Sequence, residues 1–339
     1  MMRKLVVVGC GGITGGWFKY IKSRSDIEIV GLVDIKEEAA LAKKTEEQLA
    51  CSTFTSLEKA ISETAPDIVC DCTLPEAHHS VVTTALRTGC TVFGEKPMAA
   101  TMEQAREMRD LAGERNLIYA VMQNRRYMPG IIAYRDLVQS GRIGKVGFAG
   151  CDFFIGAHFE GFRVLMVSPL ILDMAIHTFD QARFITGADA VTAYCHEFNL
   201  PGSWYAGDAS AICIFEMSDG SVFTYRGSWS AEGCSTPWES NWRIVGAKGT
   251  AIWESGEKPF AEVVAPETGG GFTNPPVRVD ANVEYDGETG HSGCLEEMFN
   301  SLSGGQIPQT VCTDNIKSLA MVHAAMLSSR KGEKVAVEA

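Results

Sequence analysis

Lys96 stands between a run that reads as a buried strand, Thr91–Gly94, and a proline, Pro97. A lysine there has little room to reach water. Proline fixes its own φ and biases the preceding residue toward an extended backbone, so the ammonium of Lys96 is aimed in one direction. Farther along, Asp173, His177 and Asp180 interrupt an otherwise apolar helical run. Spacings of four and three allow all three to share one helical face, and buried ionisable groups are costly unless paired or used. His177 by itself also fits a core histidine satisfied by a neighbouring carboxylate. Together with Lys96, however, the set offers an imidazole, carboxylates and an ammonium, the groups of general acid–base chemistry.

The first residues offer a place for a dinucleotide. The run Val6-Val7-Val8-Gly9-Cys10-Gly11-Gly12-Ile13-Thr14-Gly15-Gly16 follows a strand and opens a helix, where a dinucleotide fingerprint has mechanical meaning. Gly9 makes the tight turn and Gly11 admits the pyrophosphate, whose charge rests on helix-start amides from Gly12 and Ile13. Thr14 stands where Gly or Ala is usual, so helix and strand must separate slightly or shift to use Gly15. Asp34, with Ile35 beside it, ends the second strand 20 residues after Thr14. A carboxylate there accepts ribose hydroxyls and repels a 2′-phosphate, which favours NAD over NADP, although Lys36 softens the repulsion. The alternative role for Asp34 is a cap on the next helix.

These residues need a scaffold that gathers them. Up to about residue 125, short apolar strands alternate with amphipathic helices, the pattern of a doubly wound parallel sheet in an α/β chain. Strands are expected at Leu5–Gly9, Ile27–Val33, Cys51–Phe54, Asp67–Thr73, Thr91–Gly94 and Leu117–Gln123, and helices at Lys36–Gln48, Ser56–Thr64, Glu76–Thr88 and Met102–Arg115. Ser56 and Thr101 suit N-cap positions and Gly89 a position just past a helix. Beyond Gln123 the rhythm changes to a helix at Gly130–Gln139, another around Leu170–Thr186, and longer strands with period-two alternation. The strands are Val146–Ile155, Val191–Phe198, Ala209–Glu216, Ser221–Ser228 and Trp242–Val245, and helices near Cys294–Leu302 and Asn315–Ser328 close the chain. Alternation means one buried and one open face, hence an α+β domain on a large, mostly antiparallel open sheet. Domains are expected at 1–123 and 124–339, with a surface loop at Pro259–Pro276 containing Gly269, Gly270 and Gly271.

The chain of 339 residues has 30 Lys+Arg against 42 Asp+Glu, a net charge of −12 that disfavours nucleic acid as a partner. No apolar run approaches the roughly 18 residues a membrane span needs, and no signal-peptide core is evident, so a cytoplasmic protein is expected. The 11 cysteines form no CxxC pair and are expected to stay reduced. No metal-ligand pattern stands out.

The GxGxx turn, Pro75 with His79, Glu95-Lys96-Pro97, Asn124-Arg125-Arg126-Tyr127 with Pro129, Asp173 with His177 and Asp180, and Trp242-Arg243-Ile244-Val245-Gly246 with Gly249-Thr250 occur in that order. In this the chain resembles the Gfo/Idh/MocA family of oxidoreductases over nearly its whole length. Thr14, and Ala175 where the family commonly has Gly, depart from the pattern. The resemblance implies a Rossmann domain and an NAD(P)-dependent dehydrogenase of sugars or polyols, with Lys96, Asp173 and His177 as the catalytic set. It also implies that Thr73, Pro75 and His79 line the cofactor path, Glu95 the nicotinamide ribose, and Asn124 and Arg126 the nicotinamide and substrate approach. The segment Ala157–Arg163 carries groups suited to a sugar ring, so His158, Phe162 and Arg163 are substrate candidates; His291 is a weaker one. Two other functions use the same scaffold: an NAD-dependent glycosidase with transient C3 oxidation, and a non-enzymatic cofactor-sensing regulator. Lys96, Asp173 and His177 together favour the dehydrogenase. The open sheet and the resemblance imply a homodimer or homotetramer.

Overall fold

The computed structural model describes residues 2–254, 257–264, 272, 274–304 and 306–339. Strands and helices alternate first as β1 (Arg3–Val8), α1 (Thr14–Ile21), β2 (Ile27–Val33), α2 (Glu37–Glu46), β3 (Ser52–Phe54), α3 (Leu57–Thr64), β4 (Ile68–Asp71), α4 (Pro75–Arg87), β5 (Thr91–Gly94), α5 (Met102–Arg115) and β6 (Tyr119–Val121). The six strands form one parallel sheet in the order β3-β2-β1-β4-β5-β6. Leu5, Val6, Val7, Ile68, Val69, Cys70, Val92 and Phe93 are fully buried, as strands covered on both faces require. The chain winds outward from β1 to β3, then crosses to β4. The β1/β4 boundary is therefore the switch point where open α/β sheets bind ligands beyond their strand ends. Ser56 and Thr101 accept the backbone N–H of Lys59 and Gln104, and Gly89 takes φ +90° just past α4.

The remaining elements are α6 (Pro129–Gln139), β7 (Val146–Phe154), α7 (Ile176–Thr186), β8 (Ala190–Phe198), β9 (Ser210–Met217), β10 (Val222–Ser228), β11 (Asn241–Gly246), β12 (Gly249–Trp253), β13 (Phe260–Val264), β14 (Pro276–Asp280), α8 (Gly290–Ser301), α9 (Cys312–Lys331) and β15 (Val335–Ala336). A nine-stranded sheet runs β14-β13-β12-β11-β7-β10-β9-β8-β15, antiparallel except between β7 and β10. One face carries Cys213, Phe215, Phe223, Tyr225 and Trp242, all buried. Phe179 of α7 packs there, 4.9 Å from the ring of Phe215 and 5.4 Å from that of Tyr225. The other face presents Tyr194, His196, Ile212, Ile214 and Arg226 to water.

Two expectations change. Strand β13 lies inside the expected loop Pro259–Pro276, pairing with β12 and β14; Gly269, Gly270 and Gly271 lie outside the described residues. The domain division changes too. The chain forms two compact units, one holding the chain up to Asn124 together with Glu288–Leu319, the other holding Arg125–Gly287 and Ala320–Glu338. Residues 124–339 are thus not one continuous body. Helix α8 returns to the first unit because its buried stripe, Cys294, Leu295, Met298 and Phe299, covers apolar surface there. The Phe299 ring sits 5.2 Å from Phe93 of β5 and 6.0 Å from Tyr20 of α1. Among the described residues, no helix is long and apolar enough to cross a membrane.

Candidate active site

The loop after β1 has the form a dinucleotide requires. Gly9 takes φ +86°, and a Cβ there would stand 2.6 Å from the carbonyl oxygen of Cys72. At Gly11 and Gly12 a Cβ would meet nothing within 4 Å, so backbone is open to a ligand. No side chain caps the start of α1, whose positive dipole end faces the loop, although the Thr14 and Gly16 amides already donate to the Gly11 and Ile13 carbonyls at 3.4 and 3.3 Å. Thr14 fits without prising helix from strand: it is fully buried, and its hydroxyl donates to the Gly11 carbonyl at 2.6 Å. The Asp34 carboxylate accepts the backbone N–H groups of Cys10 and Lys36, both at 2.9 Å, which pins it beside the loop. Ile13 and Ile35 flank it, 45% and 89% exposed, apolar surface of the kind an adenosine covers. Burial and the nearby Asp34 carboxylate push the Cys10 thiol up to about 12, so it stays neutral under the loop. These residues fit a dinucleotide.

A second cluster lies at the ends of β4 and β5. The buried Asp71 accepts the N–H of Thr73 at 3.1 Å and its hydroxyl at 2.6 Å, fixing the loop that leads to Pro75. Glu95 is buried, and one carboxylate oxygen accepts the indole N–H of Trp17 at 2.7 Å. The other accepts the backbone N–H of Lys96 at 3.2 Å. Lys96 itself is half-buried between Glu95 and Pro97. At the start of α8, His291 accepts from the Asn124 side-chain amide at 3.1 Å. Its ring lies 3.8 Å from where a Cβ on Gly16 would stand, so this residue belongs beside the dinucleotide helix.

His79 does not line this cluster. Its ring turns outward to Glu107 of α5 at 2.8 Å. His78 takes the inner position, 1% exposed, with one ring nitrogen 2.8 Å from the Pro97 carbonyl oxygen and the other 3.1 Å from that of Thr73. Helical period does not separate the two, since His78 shares a stripe with Val81, Val82 and Ala85 and His79 one with Val82, Thr83 and Leu86, all buried. Trp17 belongs to no sequence motif, although it shares the buried stripe of α1 with Phe18 and Ile21.

In the second unit, helix α7 is preceded by a π-type turn, Leu170–Ala175, that contains Asp173. Such wide turns recur at functional sites, and this one replaces the regular four-residue spacing expected from Asp173 to His177. Two of the three polar residues expected on one face are held by arginines. Asp173 accepts from the Arg163 guanidinium at 2.5 Å, which in turn lies over the rings of Phe159 and Phe162 at 5.2 and 4.8 Å. Asp180 takes a bidentate contact from Arg126 at 2.6 and 2.8 Å, both side chains buried. Arg126, expected near the nicotinamide and substrate, forms a buried ion pair with a residue of α7. His177 is buried in the first turn of α7. His158 stacks on Trp204 at 3.8 Å and pairs with Glu232 at 2.6 Å, in an exposed arrangement. Among the described residues no group of three or more His, Cys, Asp or Glu is placed to bind a metal ion.

The chain is similar to known proteins over most of its length. Residues 3–123 match the model of an oxidoreductase family with an NAD-binding Rossmann fold, and residues 131–252 match the Gfo/Idh/MocA C-terminal domain. The chain is 24% identical to inositol 2-dehydrogenase of Rhizobium meliloti, covering 99% of this chain and all of the relative. It is 22% identical to 1,5-anhydro-D-fructose reductase of Ensifer adhaerens over 99% of both chains. Its fold matches an oxidoreductase from Agrobacterium radiobacter crystallised with NAD+, L-tartaric acid and magnesium, with a TM-score of 0.88, 20% identity and 99% coverage of each chain. The chain is an NAD-binding oxidoreductase that belongs to the Gfo/Idh/MocA family.

Proposed function

We propose that the protein is a dehydrogenase acting on a hydroxyl of a sugar, cyclic polyol or glycoside, with NAD as the preferred cofactor and Lys96, Asp173 and His177 as its catalytic set. The carrying observation is the turn Glu95-Lys96-Pro97, held at the carboxyl end of β5 in the same sheet as the dinucleotide loop. Relatives named for inositol and anhydrofructose, matched over nearly their full lengths, support the substrate class. Bound at that loop, the nicotinamide supplies the hydride acceptor.

The rest falls to the chain's own side chains. The open amides after Gly11 hold the pyrophosphate and Asp34 takes the adenosine ribose hydroxyls. His177 removes the hydroxyl proton, since an imidazole titrates near operating pH. Lys96 donates to the same oxygen and stabilises charge developing on it. Asp173, paired with Arg163, takes a neighbouring substrate hydroxyl. A panel of inositols, aldoses and glycosides, assayed for absorbance of reduced nicotinamide with NAD and NADP, tests this. Turnover of a cyclic polyol or aldose, faster with NAD, is the expected result. No turnover across the panel, with no NAD binding in calorimetry, sinks it.

The assembly proposed is a homodimer or homotetramer using the open face of the nine-stranded sheet. Tyr194, Ile212 and Ile214 are exposed there, around an Arg226–Asp152 pair at 2.6 Å. Light scattering on Ile214→Lys should show smaller particles than the wild-type chain, and a wild-type monomer excludes the assembly.

A further inference from the structure

Lys96 sits on a turn whose own strand, β5, spans only Thr91–Gly94. Two side chains from helices grip that turn. Trp17 of α1, fully buried, donates its indole N–H to Glu95, whose other oxygen holds the Lys96 amide. His78 of α4, buried as well, contacts the Pro97 carbonyl oxygen on one side and that of Thr73 on the other. Packing alone does not call for these groups, because a phenyl or an aliphatic side chain fills apolar space without burying a polar atom that needs a partner. Each gripping helix also begins at a cofactor loop: α1 after Gly9–Ile13, α4 after Thr73.

We infer that Trp17 and His78 are positioning residues that fix the direction of Lys96 from two sides and tie it to the two cofactor loops. The inference rests on the role proposed above for Lys96. Trp17 holds the Glu95 carboxylate in place. Glu95 then fixes the peptide of Lys96, while His78 fixes the carbonyl of Pro97. An ordered dinucleotide loop and an aimed lysine are thereby one mechanical unit.

Two measurements test this. In the uncomplexed protein, with the six tryptophans labelled at the indole nitrogen, the resonance missing from Trp17→Phe identifies Trp17. Glu95→Ala should move that resonance and speed its hydrogen exchange about tenfold or more, as expected for a lost buried hydrogen bond. Unchanged exchange overturns the Trp17 grip. Should Trp17→Phe fail to fold, Glu95→Ala still decides, because it leaves every indole in place and must then perturb one of them selectively. In kinetics, Trp17→Phe and His78→Gln should each lower kcat by about ten- to hundred-fold, the scale of an ångström misplacement. The NAD dissociation constant from calorimetry should stay within about threefold, a split that simple loss of packing does not give. Wild-type kcat in either variant overturns its role. A wild-type chain that bound no NAD would remove the proposed function, while the indole measurement would still decide whether the grip exists.

Discussion

In the parallel sheet of the first unit, the candidate ligand residues follow the carboxyl ends of strands: Gly9 after β1, Asp34 after β2, Thr73 after β4, Lys96 after β5 and Asn124 after β6. In the second unit the corresponding residues sit on a helix and the segments leading to it, and side-chain ion pairs hold them: Asp173 with Arg163, Asp180 with Arg126. The first unit positions chemistry by backbone topology and hydrogen bonds from fixed amides. The second does so by charge pairing under an irregular helix start. Substitutions should therefore fail differently. In the first unit function should be lost with the fold intact, whereas in the second, removal of a buried partner should cost stability first.

The largest effect expected is that of Lys96→Met, a drop in kcat of about a thousandfold, equivalent to roughly 4 kcal/mol of transition-state stabilisation, with NAD affinity nearly unchanged. Steady-state rates beside calorimetry check it, and equal loss of both would make Lys96 a folding residue and blur the contrast. Arg126→Met should cost about 3 kcal/mol in urea unfolding, because it removes the bidentate partner of the buried Asp180 carboxylate and leaves Arg183, at 3.9 Å, to offset the charge. A loss of turnover at unchanged stability would instead return Arg126 to the ligand. Asp34→Ser should shift the NAD/NADP ratio of kcat/KM toward NADP by about ten- to hundred-fold, the worth of charged hydrogen bonds; no shift removes Asp34 from the ribose.

The smallest effect concerns a group in the second unit outside the proposed chemistry. Burial pushes the Glu197 carboxyl up to about 7; the Ser168 hydroxyl and Arg330 act against this and Asp208 reinforces it. The folded chain thus favours protonated Glu197. Its contribution to stability is complete below the unfolded value near 4.5, fades as pH rises through about 7, and is gone above. Glu197→Gln should therefore be more stable than wild type by about 1–2 kcal/mol at pH 8, after allowance for solvent screening, with the gap closing toward pH 4.5. A gap independent of pH would mean that Glu197 does not titrate in this range.

Much of the first unit was legible because its strands are unbroken apolar runs bounded by turn and cap residues. Thr91–Gly94 and Met102–Arg115 fall where the pattern puts them. Legibility failed where two neighbours competed for one inward position. His78 and His79 each continue a buried stripe of α4, so periodicity does not say which ring meets Pro97 and which meets Glu107. In the second unit the alternation of β8 to β10 gave away the covered and open faces. The pairing of Arg126 with Asp180 and the π-type turn before α7 had no local signal, since both depend on residues far apart in the chain or on how a helix start packs.

Composition, glycine placement and hydrophobic period were enough to determine an acidic, two-part α/β chain with a dinucleotide loop, a lysine between a buried strand and a proline, and polar residues within an apolar helix. These properties come from each residue's own conformational limits and from short-range periodicity. Tertiary structure alone decided that α8 rejoins the first unit, that His78 and Trp17 contact the Lys96 turn, and that Arg126 pairs with Asp180. Burial makes each polar atom find a partner, and which partner stands within hydrogen-bond reach is settled only when distant segments pack.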